Sequence, residues 1–576
     1  MLAHALFCGC TLLVHAGQAS ADLDRALALI PEEAAALAVV PDLDLLNDDL
    51  GALIDATNQP ASVLAGRPIE MFKAAVGFGA EFDEAGSMVA WLQPDPASPG
   101  ESSPLVMVPT LDPARFLESN FTPEGAGWRT GDEMLVFAKE CSGHVLLGTD
   151  RGMVESYAPG QGSAKRVRAR LTEGQLALFA EADLLLWADR RFLDTMSELA
   201  AETSQGIPVR SLGFSPPREG LPPAIEQAFE ASTVLVNFDP LGFSIRSFTV
   251  FDPETEFGRL LEGGDHATTP LGRLPLAPFY LAMSVDVAGL GGMSNLQRIS
   301  GLLGMDPPFG GSWFEDPALR IDSLQGAVYP SRLGIALGGF LNDSSLVVTG
   351  PDPAALEARF RSELEAMDGE RDGVRYETIW TEDKPLRTGG VSDAFQIKET
   401  VLPPSQRSKQ SLGRSAIERM FMQTMFGSRG LAGFAGTEGD AFVLTFSQRP
   451  DVWNRALAAA GGGTSLEEDP VLSSMRSWLM AAPDVEIAVG FGSLGKLLGQ
   501  LARSLPGIEP DRMPQIPEGT PPVVLNIGHE RGIAEMALLV PSGVIEVGVE
   551  QFIRDYSHLR GYGRTPAPGG TDPDDG

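Results

Sequence analysis

The chain is poor in cysteine, histidine and basic side chains, and its apolar runs are short. Its 576 residues include 3 cysteines and 6 histidines. Cys8 and Cys10 fall in the first 21 residues, so a chain shortened there keeps Cys141 alone. A lone thiol closes no internal disulfide, and the fold must rest on its packed cores. Lys and Arg number 43 against 77 Asp and Glu, a net charge of −34. Such a field repels phosphate backbones and excludes nucleic-acid binding by the surface at large. Beyond residue 21 no apolar run reaches the roughly 18 residues that a membrane-spanning helix needs.

What is present begins with an apolar stretch, Leu2 to Val14, followed by Ala19-Ser20-Ala21, a small-x-small cleavage pattern ahead of Asp22. Residues 1–21 therefore read as a secretory signal, although the segment before the apolar stretch carries only His4 and no Lys or Arg. Export with no later stop-transfer segment predicts a secreted or periplasmic product. The remaining length is too great for one core, and its 43% hydrophobic content is that of a globular protein.

The chain also repeats itself. AALAVVPDLDLLNDDLGAL, near Ala36, returns as FYLAMSVDVAGLGGMSNL near Phe279. LVMVPTLDPARFL, with Asp112-Pro113, returns as LVVTGPDPAALEARF, with Asp352-Pro353. FAKECSGHVLLGTD from Phe137 matches FAGTEGDAFVLTFS from Phe434, and ADLLLWADRRFLDTMSEL from Ala182 matches DVEIAVGFGSLGKLLGQL from Asp484. Fixed-period self-similarity decides architecture before any motif does. The pattern predicts an α+β fold of tandemly duplicated halves, each of two β-α-β-β-α units with mainly antiparallel sheets. The halves span 22–268 and 269–563, with an insertion at about 381–429 in the second. A polar, Pro/Gly-rich tail, 564–576, reads as disordered. Hairpins are expected at 232–251, turning at Asp239-Pro240-Leu241-Gly242, and at 523–540, turning at His529 to Gly532. The Asp-Pro pairs at 112, 252 and 352 suit strand-to-helix corners, with Asp as cap and Pro in the first turn.

The insertion differs from its surroundings. From Val401 to Gly430 its charges are Arg407, Lys409, Arg414, Arg419 and Arg429 against Glu418. A helix is expected after Ser411, with Ile417, Met420, Phe421 and Met425 along one side, a Met-rich face able to meet an apolar ligand or partner; Met422 and Phe426 make a second side apolar too, which favours burial against the second half over such docking.

Linear motifs for chemistry are sparse. Gly490-Phe-Gly492-Ser-Leu-Gly495 follows an apolar strand and opens a helix, as a dinucleotide fingerprint does. The fingerprint also needs a parallel strand ending in an acid about 20 residues on. LPGIEPDRMPQIPEG stands there, and its prolines oppose a central strand. His529-Glu530 has no second histidine one helical turn away. His144, His266, His529 and His558 all sit in turn-like or tail contexts and read as solvated. No G-x-S-x-G elbow is present. No catalytic, metal or cofactor residue is assigned on these grounds.

The opening, with Ile30-Pro31-Glu32-Glu33-Ala34, and the link GGGTSLEEDPVLSSMRSWL resemble exported bacterial proteins of domain-of-unknown-function families. That resemblance implies export and an α+β repeat and carries no catalytic residues. The sequence thus points to an exported, non-catalytic binding or structural component of the cell envelope. The alternatives are a periplasmic carrier of a lipid or other apolar ligand, and a hydrolase whose site assembles from distant residues.

Overall fold

The computed structural model describes residues 23–57, 69–70, 73, 78–94, 102–130, 134–160, 162–193, 222–263, 270–302, 319–332, 339–371, 374–402, 424–427, 430–504, 516–517 and 519–548. The signal, the tail, and Ile417, Met420 and Phe421 lie outside these. Met425 is described and half-buried. Its carbonyl accepts the Leu341 amide at 2.6 Å, and the neighbouring Phe426 ring packs 5.9 Å from that of Phe446. Among the described residues no helix is long and apolar enough to cross a membrane.

The fold is α+β, with every strand pair antiparallel. One hydrogen-bonded ladder runs through all the strands. From one end it passes β4 (Thr122–Glu124), β5 (Gly127–Arg129), β6 (Leu135–Cys141), β7 (His144–Gly148) and β3 (Ser102–Pro109). It continues through β2 (Met88–Pro94), β1 (Ala36–Val40), β8 (Leu184–Asp189), β9 (Phe229–Asp239) and β10 (Gly242–Phe251). There β10 pairs with β21 (Ile533–Pro541), and the ladder goes on through β20 (Val523–Glu530), β19 (Val485–Val489), β11 (Leu281–Asp286) and β12 (Ser323–Val328). The far end is β13 (Ser344–Thr349), β18 (Ala441–Thr445), β17 (Ala432–Glu438), β16 (Val391–Val401), β15 (Val374–Pro385) and β14 (Gly369–Arg371).

Helices close the corners for local reasons. Asp42 caps α1 (Leu43–Ala56), its carboxylate accepting the Leu45 amide at 3.0 Å. Asp112 and Asp352 cap α2 (Pro113–Asn120) and α4 (Pro353–Ala366), with Pro in the first turn of each. Asp252 departs from that expectation. Its carboxylate accepts the Glu254 amide, and Thr255 caps the short helix Glu256–Leu260 instead. The other helices that matter below are α3 (Met293–Leu302), α5 (Pro450–Ala460), α6 (Pro470–Met475) and α7 (Phe491–Ser504).

Both faces of each stretch of sheet are used. In the first, Leu37, Val39, Trp91, Leu105 and Leu185 pack under Leu23, Leu27 and Tyr157, while Val40, Val108 and Val145 meet Leu43 of α1 and Phe116 of α2. In the second, Ala282, Val347 and Val443 pack under Trp453 of α5 and Leu472 of α6, and Leu324, Val348 and Phe442 meet Leu356 and Phe360 of α4.

The β10–β21 seam depends on a close approach at Gly242. A Cβ there would stand 2.2 Å from the Val540 carbonyl oxygen. Gly242→Ala should therefore shift the urea unfolding midpoint downward, at a cost of about 1–3 kcal/mol from overpacking. An unchanged midpoint would show that the seam has slack.

Candidate functional site

Two features stand apart from ordinary packing. The first is the middle of the ladder, β8-β9-β10-β21-β20-β19, where the covered face holds ion pairs among its core side chains while the opposite face, half open, is apolar as well. Leu185, Leu235, Arg246, Ala537, Asn526 and Glu486 stand side by side across these strands on one face. That face holds most of the buried side chains, and it carries the charges. Arg246 lies 3.6 Å from Glu535, and its guanidinium also donates to the Leu479 carbonyl. Burial pushes the Glu535 carboxyl up. Glu486, fully buried, is held by both Nη atoms of Arg476.

The opposite face is apolar and half open. Leu186, Val234, Ser247, Met536, Ile527 and Val485 form one row across it. Leu184, Val236, Ile245, Leu538, Leu525 and Ile487 form the next. Phe238, Phe243 and Val540 begin a third, with the two rings 6.4 Å apart. All are half-buried or exposed, Leu186 and Ile527 at 38% and 39%. Leu184 packs with the cluster beneath α1, and Val485 with that beneath α3, so two helices border the open rows.

Buried acids sit at the margins of this face. Asp183 precedes β8, and its carboxylate accepts the Phe238 amide at 2.6 Å. Burial, reinforced by the charge of Asp49, pushes its carboxyl up to about 7. On the other side Asp484 precedes β19 and its Oδ2 lies 2.6 Å from Nδ1 of His529. The Asp286 amide donates to the Asp484 carbonyl, and Asp286 Oδ1 accepts the Gly289 amide. His529 is thus no solvated turn residue. It is the buried penultimate residue of β20, which ends at Glu530, and the turn is Arg531-Gly532. His144, likewise, lies in β7, half-buried against the Ser87 carbonyl. His266 and His558 fall outside the described residues. Cys141 ends β6, half-buried, and burial pushes its thiol up, away from the reactive thiolate.

The second feature is a cleft of about 280 Å³ lined by Tyr329, Arg332, Asp343, Arg449, Arg455 and Lys496, with Ala277, Pro278, Pro330 and Val452 as apolar wall and Gly492 and Ser493 at one side. Asp343 is buried and accepts from Arg449 Nη1 at 2.9 Å and from the Ser447 hydroxyl at 2.6 Å. Asp451 takes the other side of the Arg449 guanidinium and lies 3.9 Å from Arg332. The Leu494 amide closes the first turn of α7 on the Gly490 carbonyl, so the amides of Gly492 and Ser493 precede the first intrahelical bond. The glycines of the G-x-G-x-x-G stretch have steric work. A Cβ on Gly490 would stand 2.1 Å from the Phe279 carbonyl oxygen, and one on Gly495 2.6 Å from Ile516. Both neighbours of β19, β11 and β20, are antiparallel to it, which is not the geometry of a dinucleotide fold.

A second cleft, of about 440 Å³, opens near β1 and β2, lined by Glu32, Glu33, Gln93, Ser156 and Tyr157 among others. None of these clefts was foreseeable from local spacing, because their residues come from segments far apart in the chain. No protein-family model, curated protein or solved structure matches the chain.

Proposed function

We propose that the chain is an exported, non-catalytic binding component of the cell envelope, built from two copies of one ancestral module, and that it engages an uncharged apolar surface of another envelope protein through the open face of its middle strands. The carrying observation is that the half-open face is as apolar as the covered one, with aliphatic rows running across it while the ion pairs lie on the covered side. An exposed apolar patch bounded by polar surface is what partner sites look like. The net charge of −34 opposes close approach of a second copy, which favours a different partner.

The duplication is supported by the strand order, which reads alike outward from the β10–β21 pair as far as β6 and β17. Arg246 opposite Ala537 is then the centre of the relation. In this frame Leu184, opposite Val236, answers to Val485, opposite Ile527, so Asp183 and not Ala182 corresponds to Asp484. A one-residue slip of that kind exchanges the two faces of a strand. Strand β16 then belongs to the insertion, since β5 pairs directly with β6 whereas β15 reaches β17 through β16.

A photo-crosslinking residue at Ile527, in cells expressing the full chain, should give one discrete heavier adduct with an envelope protein. Leu186→Lys should abolish it while leaving thermal stability within about 1 kcal/mol, as surface changes do. Adducts only with a second copy, only with lipid, or none at all, would overturn the reading.

A further inference from the structure

The open face of the middle strands offers a partner little but carbon, except at one corner. Its rows hold no charged side chain, and every strand beneath them is paired on both sides, so no sheet edge is presented. An extended segment laid there would leave its own amides unpaired, whereas a helix satisfies them internally. The strands from β9 to β20 span about 14 Å at roughly 4.8 Å per step, room for one helix of about 10–12 Å and not for two.

The corner lies where β9 turns into β10. Asp239 ends β9, half-buried next to Phe238, and Asp183 lies behind it with its carboxylate on the Phe238 amide. Neither acid is in an ion pair among the described residues, and the charges that weigh most on Asp183, those of Asp49 and Asp239, are both negative. Across the β10–β21 pair the register sets Asp484 in the place of Asp183 and His529 in that of Phe238, since Ile527 faces Val485 as Val236 faces Leu184. There the acid has a basic group from its own chain, Nδ1 of His529 at 2.6 Å. Phe238 leaves the first corner without one, and a cation brought to it from outside would offset the burial of that acid.

We propose that the open face holds a single helix of the partner, lying along the strands, with a Lys or Arg at the end that meets Asp239. This rests on the docking reading above and adds the partner's form and its charge. The net charge of −34 favours the approach of such a cation, and a helix laid by its apolar side into a groove is a recurring mode of recognition.

Photo-crosslinking residues at Phe243 and at Ser247, in cells expressing the full chain, test the form. The two positions are about 14 Å apart along β10, which corresponds to about nine residues of a helix and about four of an extended chain. Mass spectrometry of the adducts should place the captured residues about nine apart in one segment, with a Lys or Arg within about one helical turn of the residue captured from Phe243. Asp183→Asn with Asp239→Asn should lower the yield of the Ile527 adduct about tenfold or more. The thermal midpoint should be no lower, because both amides keep the oxygens that accept from Phe238 and Leu241. Asp48→Asn with Asp55→Asn removes as many acids from the exposed side of α1 and should leave the yield within about twofold. No protein adduct from Ile527 would overturn both this proposal and the docking reading. An Ile527 adduct with captured residues about four apart, with no cation at the Phe243 end, or with a yield that the corner pair does not lower or that the α1 pair lowers equally, would overturn the helix and its cation and leave the docking reading standing.

Discussion

Arg476→Ala should destabilise the protein by about 3–5 kcal/mol at pH 8, read as a fall in the urea midpoint. Arg476 lies just past α6, and both its Nη atoms reach Glu486 on β19, whose side chain is fully buried. Burial already pushes the Glu486 carboxyl up, and Arg476 is the main influence holding it down. Without the guanidinium, the carboxylate must either stay charged in a dry site or take a proton. In the variant the folded-state pKa rises further above that of the unfolded chain, so the folded state binds a proton that the unfolded state releases as pH climbs. The deficit should accordingly shrink on acidification towards pH 5 and be largest above neutrality. Replacing the pair together, Arg476→Met with Glu486→Leu, should recover most of the loss, since a buried ion pair contributes little beyond a well-packed apolar one. A single variant with the stability of the parent at pH 8, or a double variant as unstable as the single, would show that Arg476 does not neutralise Glu486.

The parts of this protein that were legible beforehand are those set by neighbours in the chain. Asp112 and Asp352 announce their helices because a cap and the amide it satisfies lie three residues apart. The turn at Asp239 to Gly242 was equally local, its Asp239 carboxylate accepting the Leu241 amide at 2.6 Å. Asp252 shows the limit of such reasoning. The same Asp-Pro pair met a competing Thr255, and the hydroxyl took the cap. His529 was misplaced for a different reason. His-Glu-Arg-Gly reads as a loop, but Arg531 and Gly532 both take positive φ and complete a two-residue turn by themselves. That leaves His529 inside the strand, where Asp484, 45 residues away, buries it. The open apolar face was half legible. Alternation in VVLNI marks a strand, yet which side meets solvent depends on what α1, α3 and α6 cover. The arginines of the Tyr329 cleft are spread from Arg332 to Arg455 and carried no local signal at all.

Asp183→Asn should stabilise the protein at alkaline pH and leave it unchanged in acid, the reverse of the usual result for removing a carboxylate. Asp183 is buried at the entrance to β8, where burial first, and the neighbouring Asp49 charge second, push its carboxyl up to about 7. The unfolded value is about 3.9. Between these two values the folded chain holds a proton that the unfolded chain gives up, so stability falls as pH rises from about 4 to about 7 and is level above that. Asparagine copies the protonated side chain: its oxygen still accepts the Phe238 amide, and its NH₂ donates towards Asp49 as the acid O–H does. It removes the charging cost, about 3 pKa units or roughly 4 kcal/mol at most. Urea midpoints of parent and variant should coincide near pH 4, diverge through pH 6, and stay apart by a constant margin at pH 8 and above. Parallel curves, or a variant weaker throughout, would mean that Asp183 is ionised in the folded protein and that its place beside Asp49 stores no such cost.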